Sequence, residues 1–240
     1  RERSITVGDR VATLAWNTER HLEAWYGAMC MGAVLHTVNP RLFPDQIAWI
    51  INHAEDKILF FDTTFTPIVE KIAPLLNTVQ TYVALTDREN TPKSSVAHFV
   101  AYEDFIQGQS QEAQWGGFDE NTACGLCYTS GTTGDPKGVL YSHRANVIHA
   151  MAANQTDVFG CGANDVVMPI VPMFHANAWA IAFVAPMCGA KVVMPGAKLD
   201  GPSVYELLEA EQVNFTAAVP TVWLMLLQYL RENNLKLNHL

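Results

Sequence analysis

Runs of β-branched, aromatic and leucine residues alternate with stretches whose apolar positions recur at helical spacing. Val11–Ala15 precedes a helical pattern over His21–Met31, Val34–Val38 precedes Pro44–His53, and Ile58–Phe61 precedes Thr66–Leu75. Strands of four to six apolar residues, each followed by a helix, are the mark of βα units and a largely parallel sheet with helices on its faces. Tyr82–Leu85 predicts a further strand, 86–95 a polar loop, and Tyr102–Gln107 a short helix. The polar, glycine-bearing stretch 108–121 predicts an exposed connection. Beyond it the pattern resumes, with strands at Cys124–Thr129, Val166–Val171, Lys191–Met194 and Thr216–Val219. Helices are predicted over Ser142–Gln155, Asn177–Ala185, Ser203–Glu211 and Thr221–Arg231. The expected fold class is α/β, in two subdomains at 1–108 and 122–240 joined by a connector at 109–121.

Hydrophobic residues make up 49% of the 240 positions, enough for one large core or two small ones. Charged residues are 16%, and the balance of 24 acidic against 15 basic side chains gives a formal charge of -9, which argues against a nucleic-acid partner. The longest apolar stretch, Ala178–Ala190, holds Pro186 and Gly189 and falls short of the roughly 20 residues a spanning helix needs. No transmembrane segment is expected. The first residues show no apolar signal region, so a cytoplasmic location is expected. The chain begins abruptly and stops after a strongly apolar helix, and is expected to be a piece of a longer protein. Five cysteines are scattered among aliphatic residues. Cys124 and Cys127 form a nominal CxxC, but inside a buried strand their side chains fall on opposite faces, so a core role is expected. The eight histidines show no metal-ligand spacing, and no structural metal is expected.

One segment carries chemistry. Tyr128-Thr129-Ser130-Gly131-Thr132-Thr133-Gly134-Asp135-Pro136-Lys137-Gly138-Val139 crowds three glycines, four Ser/Thr hydroxyls and one lysine between a strand and a later helix. Glycines let successive N–H groups turn toward one point, hydroxyls donate to oxygens, and the lysine adds positive charge, a combination suited to polyphosphate. The segment is not a Walker loop: Lys137 precedes Gly138, Pro136 lies inside, and no hydroxyl follows the lysine directly. GxGxxG is absent as well, so a nicotinamide enzyme has no foothold.

Thr129–Gly138 resembles the signature loop of the adenylate-forming (AMP-binding) superfamily of acyl-CoA synthetases, luciferases and peptide-synthetase adenylation domains. Three other stretches are similar to segments of the same family: Gly32–Leu42, Pro172-Met173-Phe174-His175-Ala176-Asn177-Ala178-Trp179, and Val219-Pro220-Thr221. Together with Asn52-His53-Ala54-Glu55-Asp56 they most resemble bacterial medium- and long-chain fatty acid:CoA ligases. The resemblance implies attack of a carboxylate on the α-phosphorus of ATP, then thioester formation with CoA, with magnesium at the phosphates. It assigns Thr129, Ser130, Gly131, Thr132, Thr133, Gly134, Lys137 and Gly138 to nucleotide phosphates, and the Thr129 hydroxyl to magnesium. It implies that His175, expected at the end of a strand beside the loop-bearing one, lies between nucleotide and acyl sites. The same resemblance implies that Ala176 contributes backbone near the adenylate and that Trp179 gates the acyl tunnel; if the segment is helical, Trp179 shares a face with His175.

A homodimer follows from the resemblance alone, and peripheral membrane contact through a lipid-like substrate stays open without a basic amphipathic helix to argue for it. The family's adenine segment, its magnesium-binding glutamate, its ribose-binding aspartate and its mobile C-terminal domain are not in this sequence, so the chain is not expected to turn over alone. Two alternatives remain: an adenylating enzyme with a different acceptor, and a noncatalytic nucleotide-binding module. His21, His36, His53, His98, His143 and His149 are expected to be structural or surface residues. The stripe Trp223, Leu224, Leu227 and Leu230 is expected to face a core.

Overall fold

The computed structural model describes residues 5–110, 112–129 and 135–240. The chain divides into two compact units, Arg1–Ala15 with Arg20–Ala145, and Trp16–Glu19 with Asn146–Leu240.

In the first unit, β1 (Arg10–Leu14), β2 (Val34–Thr37), β3 (Ile58–Phe61), β4 (Thr81–Ala84), β5 (Phe99–Ala101), β6 (Ala123–Thr129) and β7 (Lys137–Ser142) form one sheet in the order β5-β4-β3-β1-β2-β6-β7. Every neighbouring pair is parallel except β6 and β7. The helices are α1 (Glu19–Cys30), α2 (Pro44–Ala54), α3 (Thr66–Ile72) and the short α4 (Tyr102–Ile106). All four residues of β3, Ile-Leu-Phe-Phe, are buried, as expected of a central parallel strand covered on both faces. Burying a side chain such as Phe61 contributes about 1.5–3 kcal/mol. Helix α2 starts with Pro44 at its first position, and the Gln46 side chain accepts the Phe43 N–H at 3.2 Å. It ends at Glu55, whose φ of 56° turns the chain back toward β3.

The second unit holds β8 (Val166–Pro169), β9 (Lys191–Val192) and β10 (Phe215–Ala217) in a parallel sheet of order β10-β8-β9. Its helices are α5 (His143–Ala153), which begins at the end of the first unit, the single turn α6 (Ala176–Trp179), α7 (Ile181–Cys188), α8 (Gly201–Ala210) and α9 (Pro220–Glu232). Asp200 caps α8 by accepting the Ser203 N–H at 3.0 Å. Gly201 lets α8 approach α9: a Cβ there would lie 2.7 Å from the Met225 carbonyl oxygen.

The α/β class with a mostly parallel sheet is as expected, and five particulars differ. The apolar pattern of the sequence does not predict strands β5 and β7. Contacts group β6 and β7 with the first unit rather than with 122–240, because β6 pairs with β2. The expected helix over Asn177–Ala185 is broken at Ala180, where φ is 69°. β8 bonds to β9 and β10 rather than to the loop-bearing strand, and it ends at Pro169, well before His175. On α9 the buried positions are Val222 and Leu226; Trp223 and Leu230 are partly buried, whereas Leu224 and Leu227 are exposed.

Candidate functional site

The loop-bearing segment is a β-hairpin. Antiparallel β6 and β7 pair Cys127 with Val139, Tyr128 with Gly138, and Thr129 with Lys137, which is the last pair before the loop. Ser130, Gly131, Thr132, Thr133 and Gly134 lie outside the described residues. The flanking candidates are therefore brought together by strand register: Thr129 and Lys137 face one another, and the Thr129 hydroxyl points to the Lys137 carbonyl at 3.4 Å. Both side chains are exposed. Gly138 has a packing reason as well, since a Cβ there would meet Leu126 Cδ1 at 3.0 Å and the Tyr128 ring at 3.3 Å.

Thr129 Oγ1 is an exposed hard oxygen whose hydrogen bond to the Lys137 carbonyl is long, so it would be free to serve a hard cation such as magnesium. Among the described residues no group of three or more His, Cys, Asp and Glu side chains gathers to hold a metal. The CxxC cysteines are both buried; Thr37 Oγ1 lies 3.4 Å from Cys127 Sγ, and Cys124 Sγ lies 3.5 Å from the Tyr141 carbonyl.

Under the hairpin, between β2, β6 and α2, is a polar cluster that composition and spacing did not disclose. His36 and Asp56 are fully buried, with Nδ1 and Oδ2 2.6 Å apart. Among the described residues, His36 Nε2 and Asp56 Oδ1 have no hydrogen-bond partner. Burial pushes the Asp56 carboxyl upward, against the opposing pull of His36. The Tyr128 ring packs beside this pair, its centroid 5.0 Å from that of His36 and the two planes tilted by 46°. Its hydroxyl is 2.6 Å from Nδ1 of His53, and the His53 ring lies on Trp49 at 4.7 Å. Burial, reinforced by the nearby Asp56, pushes the Tyr128 phenol up to about 12, so it remains an O–H donor at neutral pH.

In the second unit, Pro172–His175 forms a turn closed by the His175 N–H on the Pro172 carbonyl at 3.1 Å. His175 is extended, with φ -119° and ψ 110°, and exposed. Ala176, Asn177, Ala178, Trp179 and Ala180 then follow with φ between 45° and 69°, a left-handed turn. Such a conformation costs about 1–2 kcal/mol per residue. The buried Ala178 and Ala180 show why small residues stand there. The right-handed spacing expected to put His175 and Trp179 on one face therefore does not apply. Trp179 is 41% exposed. Asn17, which no motif marked, pins this segment: its amide donates to the Pro169 and Val171 carbonyls at 2.8 and 2.9 Å, and its oxygen accepts the Met173 N–H at 3.0 Å.

A cavity of about 940 Å³ in the first unit is lined by residues such as Ala24, Phe60, Tyr102 and Phe105; none of Thr129, Lys137 and Gly138 lines it. Among the described residues no helix is long and apolar enough to cross a membrane.

The model of the AMP-binding enzyme family matches residues 1–240. The chain belongs to this family. Among AMP-binding relatives, a 3-methylmercaptopropionyl-CoA ligase of Ruegeria pomeroyi is 50% identical over 214 residues, covering 89% of this chain and 40% of the relative. A long-chain-fatty-acid–CoA ligase of Thermus thermophilus is 50% identical over 236 residues, covering 98% and 42% respectively. The chain thus spans about two fifths of the length of the curated relatives it matches. In structure it is similar to a fatty acyl CoA synthetase of Mycobacterium tuberculosis, with a TM-score of 0.76 at 22% identity, covering 98% of this chain and 44% of that one. An acyl-CoA synthetase of Brucella canis gives a TM-score of 0.78 at 18% identity, covering 95% and 40%. At these identities the structures support the shared fold alone.

Proposed function

We propose that this AMP-binding chain carries the phosphate-binding hairpin and part of the acyl site of an AMP-forming acid:CoA ligase acting on fatty acids. The observation that carries this reading is the pairing of Thr129 with Lys137 at the mouth of the hairpin, in a chain half identical to two named CoA ligases. A carboxylate oxygen attacks the α-phosphorus of ATP, the bond to pyrophosphate breaks, and the CoA thiol then displaces AMP from the acyl carbon. Lys137 opposes the charge gathering on the leaving pyrophosphate, helped by loop N–H groups and the hydroxyls of Ser130, Thr132 and Thr133. Gly131, Gly134 and Gly138 leave the backbone free to approach the phosphates. Magnesium, when bound, neutralises part of the same charge, and Thr129 supplies it one oxygen. His175 orients the carboxylate or an adenylate oxygen, Ala176 offers backbone near the adenylate, and Trp179 bounds the path of the acyl chain. A homodimer and a cytoplasmic site of action belong to the same proposal.

The test is magnesium-dependent pyrophosphate release by the full-length enzyme with acetate, 3-methylmercaptopropionate, octanoate and palmitate, each with and without CoA. Release that depends on the longer acids, with thioester only when CoA is present, supports the fatty acid ligase. Acid-dependent release without a CoA thioester points to another acceptor. ATP binding with no acid-dependent release leaves a nucleotide-binding module.

A further inference from the structure

The loop's two stalks leave the sheet at Thr129 and Lys137, and one residue below each stand Tyr128 and Gly138, paired across the strands. Strand β7 is the terminal strand of its sheet among the described residues, so its placement depends on β6 and on side chains that reach across it. Tyr128 does this. Its ring lies against Gly138, 3.3 Å from where a Cβ would stand, next to the nearer Leu126 Cδ1 at 3.0 Å. Its hydroxyl is tied to His53 on α2 at 2.6 Å, and the rest of the ring packs with the buried cluster of Val34, Ala54 and Leu126. The buried His36–Asp56 pair forms the floor beneath it, and Trp49 backs the His53 ring. One phenol therefore links helix α2 to both strands from which the loop springs.

We propose that Tyr128 and His53 are positioning residues for the phosphate loop: their hydrogen bond fixes the separation and twist of the two stalks, and hence where Thr129 and Lys137 meet a nucleotide's phosphates. The proposal rests on the reading of this loop as a polyphosphate site. The hydroxyl itself is not needed for packing. A phenylalanine ring fills the same space, and His53 is exposed enough to be rehydrated when its partner is lost.

Two measurements on the full-length enzyme test it: MgATP affinity by calorimetry, and the ATP and carboxylic acid KM values in pyrophosphate release. Tyr128→Phe and His53→Ala are each expected to weaken MgATP binding and raise the ATP KM about three- to tenfold, the range one such hydrogen bond spans. The acid KM should stay as in the wild type, and the melting temperature should fall by no more than about 2 °C. The double variant should be no worse than either single one, because both remove the same bond. His53→Asn, whose amide places a polar atom near the position of Nδ1, should restore most of the affinity. Unchanged MgATP affinity in Tyr128→Phe overturns the proposal, whether or not His53→Ala folds. A loss of affinity that follows a matching fall in melting temperature also overturns it. A wild type that binds MgATP but releases no pyrophosphate sinks the ligase reading and leaves positioning to be decided on the calorimetry; a wild type that binds no MgATP overturns both.

Discussion

Asn17 accepts the backbone N–H of Met173 at 3.0 Å across 156 residues of sequence, and the two residues lie in one compact unit. The same amide donates to the carbonyls of Pro169 and Val171, so three of its hydrogen-bonding positions are used on one segment. Asn17 is 5% exposed and Met173 fully buried, which leaves no water to replace these bonds. Asn17→Ala strands two carbonyls and one N–H, and should destabilise the second unit by about 2–4 kcal/mol, allowing about 1–3 kcal/mol per unsatisfied group and some relaxation. Urea unfolding followed by tryptophan fluorescence measures it; a loss below 1 kcal/mol would mean the segment holds its shape without Asn17.

Gly201 tests the packing of α8 on α9. A methyl group there meets the Met225 carbonyl oxygen at 2.7 Å and Tyr229 Cβ at 2.8 Å, neither of which is the free end of a side chain. Gly201→Ala would ordinarily favour a helix. Here overpacking should outweigh that preference, with a net loss of about 1–3 kcal/mol in thermal or urea unfolding. A stabilised variant would show that the two helices can separate at no cost.

Much of the fold is legible in the sequence because its strands are short apolar runs whose helices keep regular spacing. Ile58–Phe61 is predicted to the residue. What escapes carries no period of its own in the sequence. Strand β7, Lys-Gly-Val-Leu-Tyr-Ser, is mostly exposed, so it lacks the alternation of a half-buried strand; β6 across the hairpin defines it. Strand β5 has three residues, too few for a period to show. The left-handed turn after His175 contains no glycine, the residue that would have announced it. The motif marks Thr129, Lys137 and His175 as sites of chemistry, but it says nothing of Asn17 or of the His36–Asp56 pair. Their roles come from residues the fold brings together, 20 apart in one case and 156 in the other.

Asp165 should make part of the second unit's stability depend on pH. Its carboxylate accepts the Gly162 N–H at 2.7 Å and the Asn214 amide at 2.9 Å, and these bonds hold its pKa below the ordinary 3.8. Because the folded state binds this proton less tightly than the unfolded chain does, the stabilisation is fully present above the ordinary carboxylate value and is lost as pH falls through the folded value. The group is only half-buried, so the effect is small and screened by salt. Urea midpoints measured from pH 6 down to pH 2 should fall less steeply for Asp165→Asn than for the wild type, and parallel curves would remove Asp165 from the account.

Lys137 offers the sharpest separation of chemistry from folding. Its side chain is exposed on a terminal strand, and it makes no ion pair among the described residues, so Lys137→Ala should leave the melting temperature within about a degree. In the proposed reaction the same ammonium opposes charge that builds on pyrophosphate as the α-phosphorus bond breaks. Removing it should cost about a hundredfold or more in the rate of pyrophosphate release, as the loss of one aimed donor does in other sites. Lys137→Arg keeps the charge but not the compact shape, and should recover only part of the rate. If the activity of Lys137→Ala falls only as far as its stability does, the lysine is a strand residue and the phosphates are neutralised elsewhere.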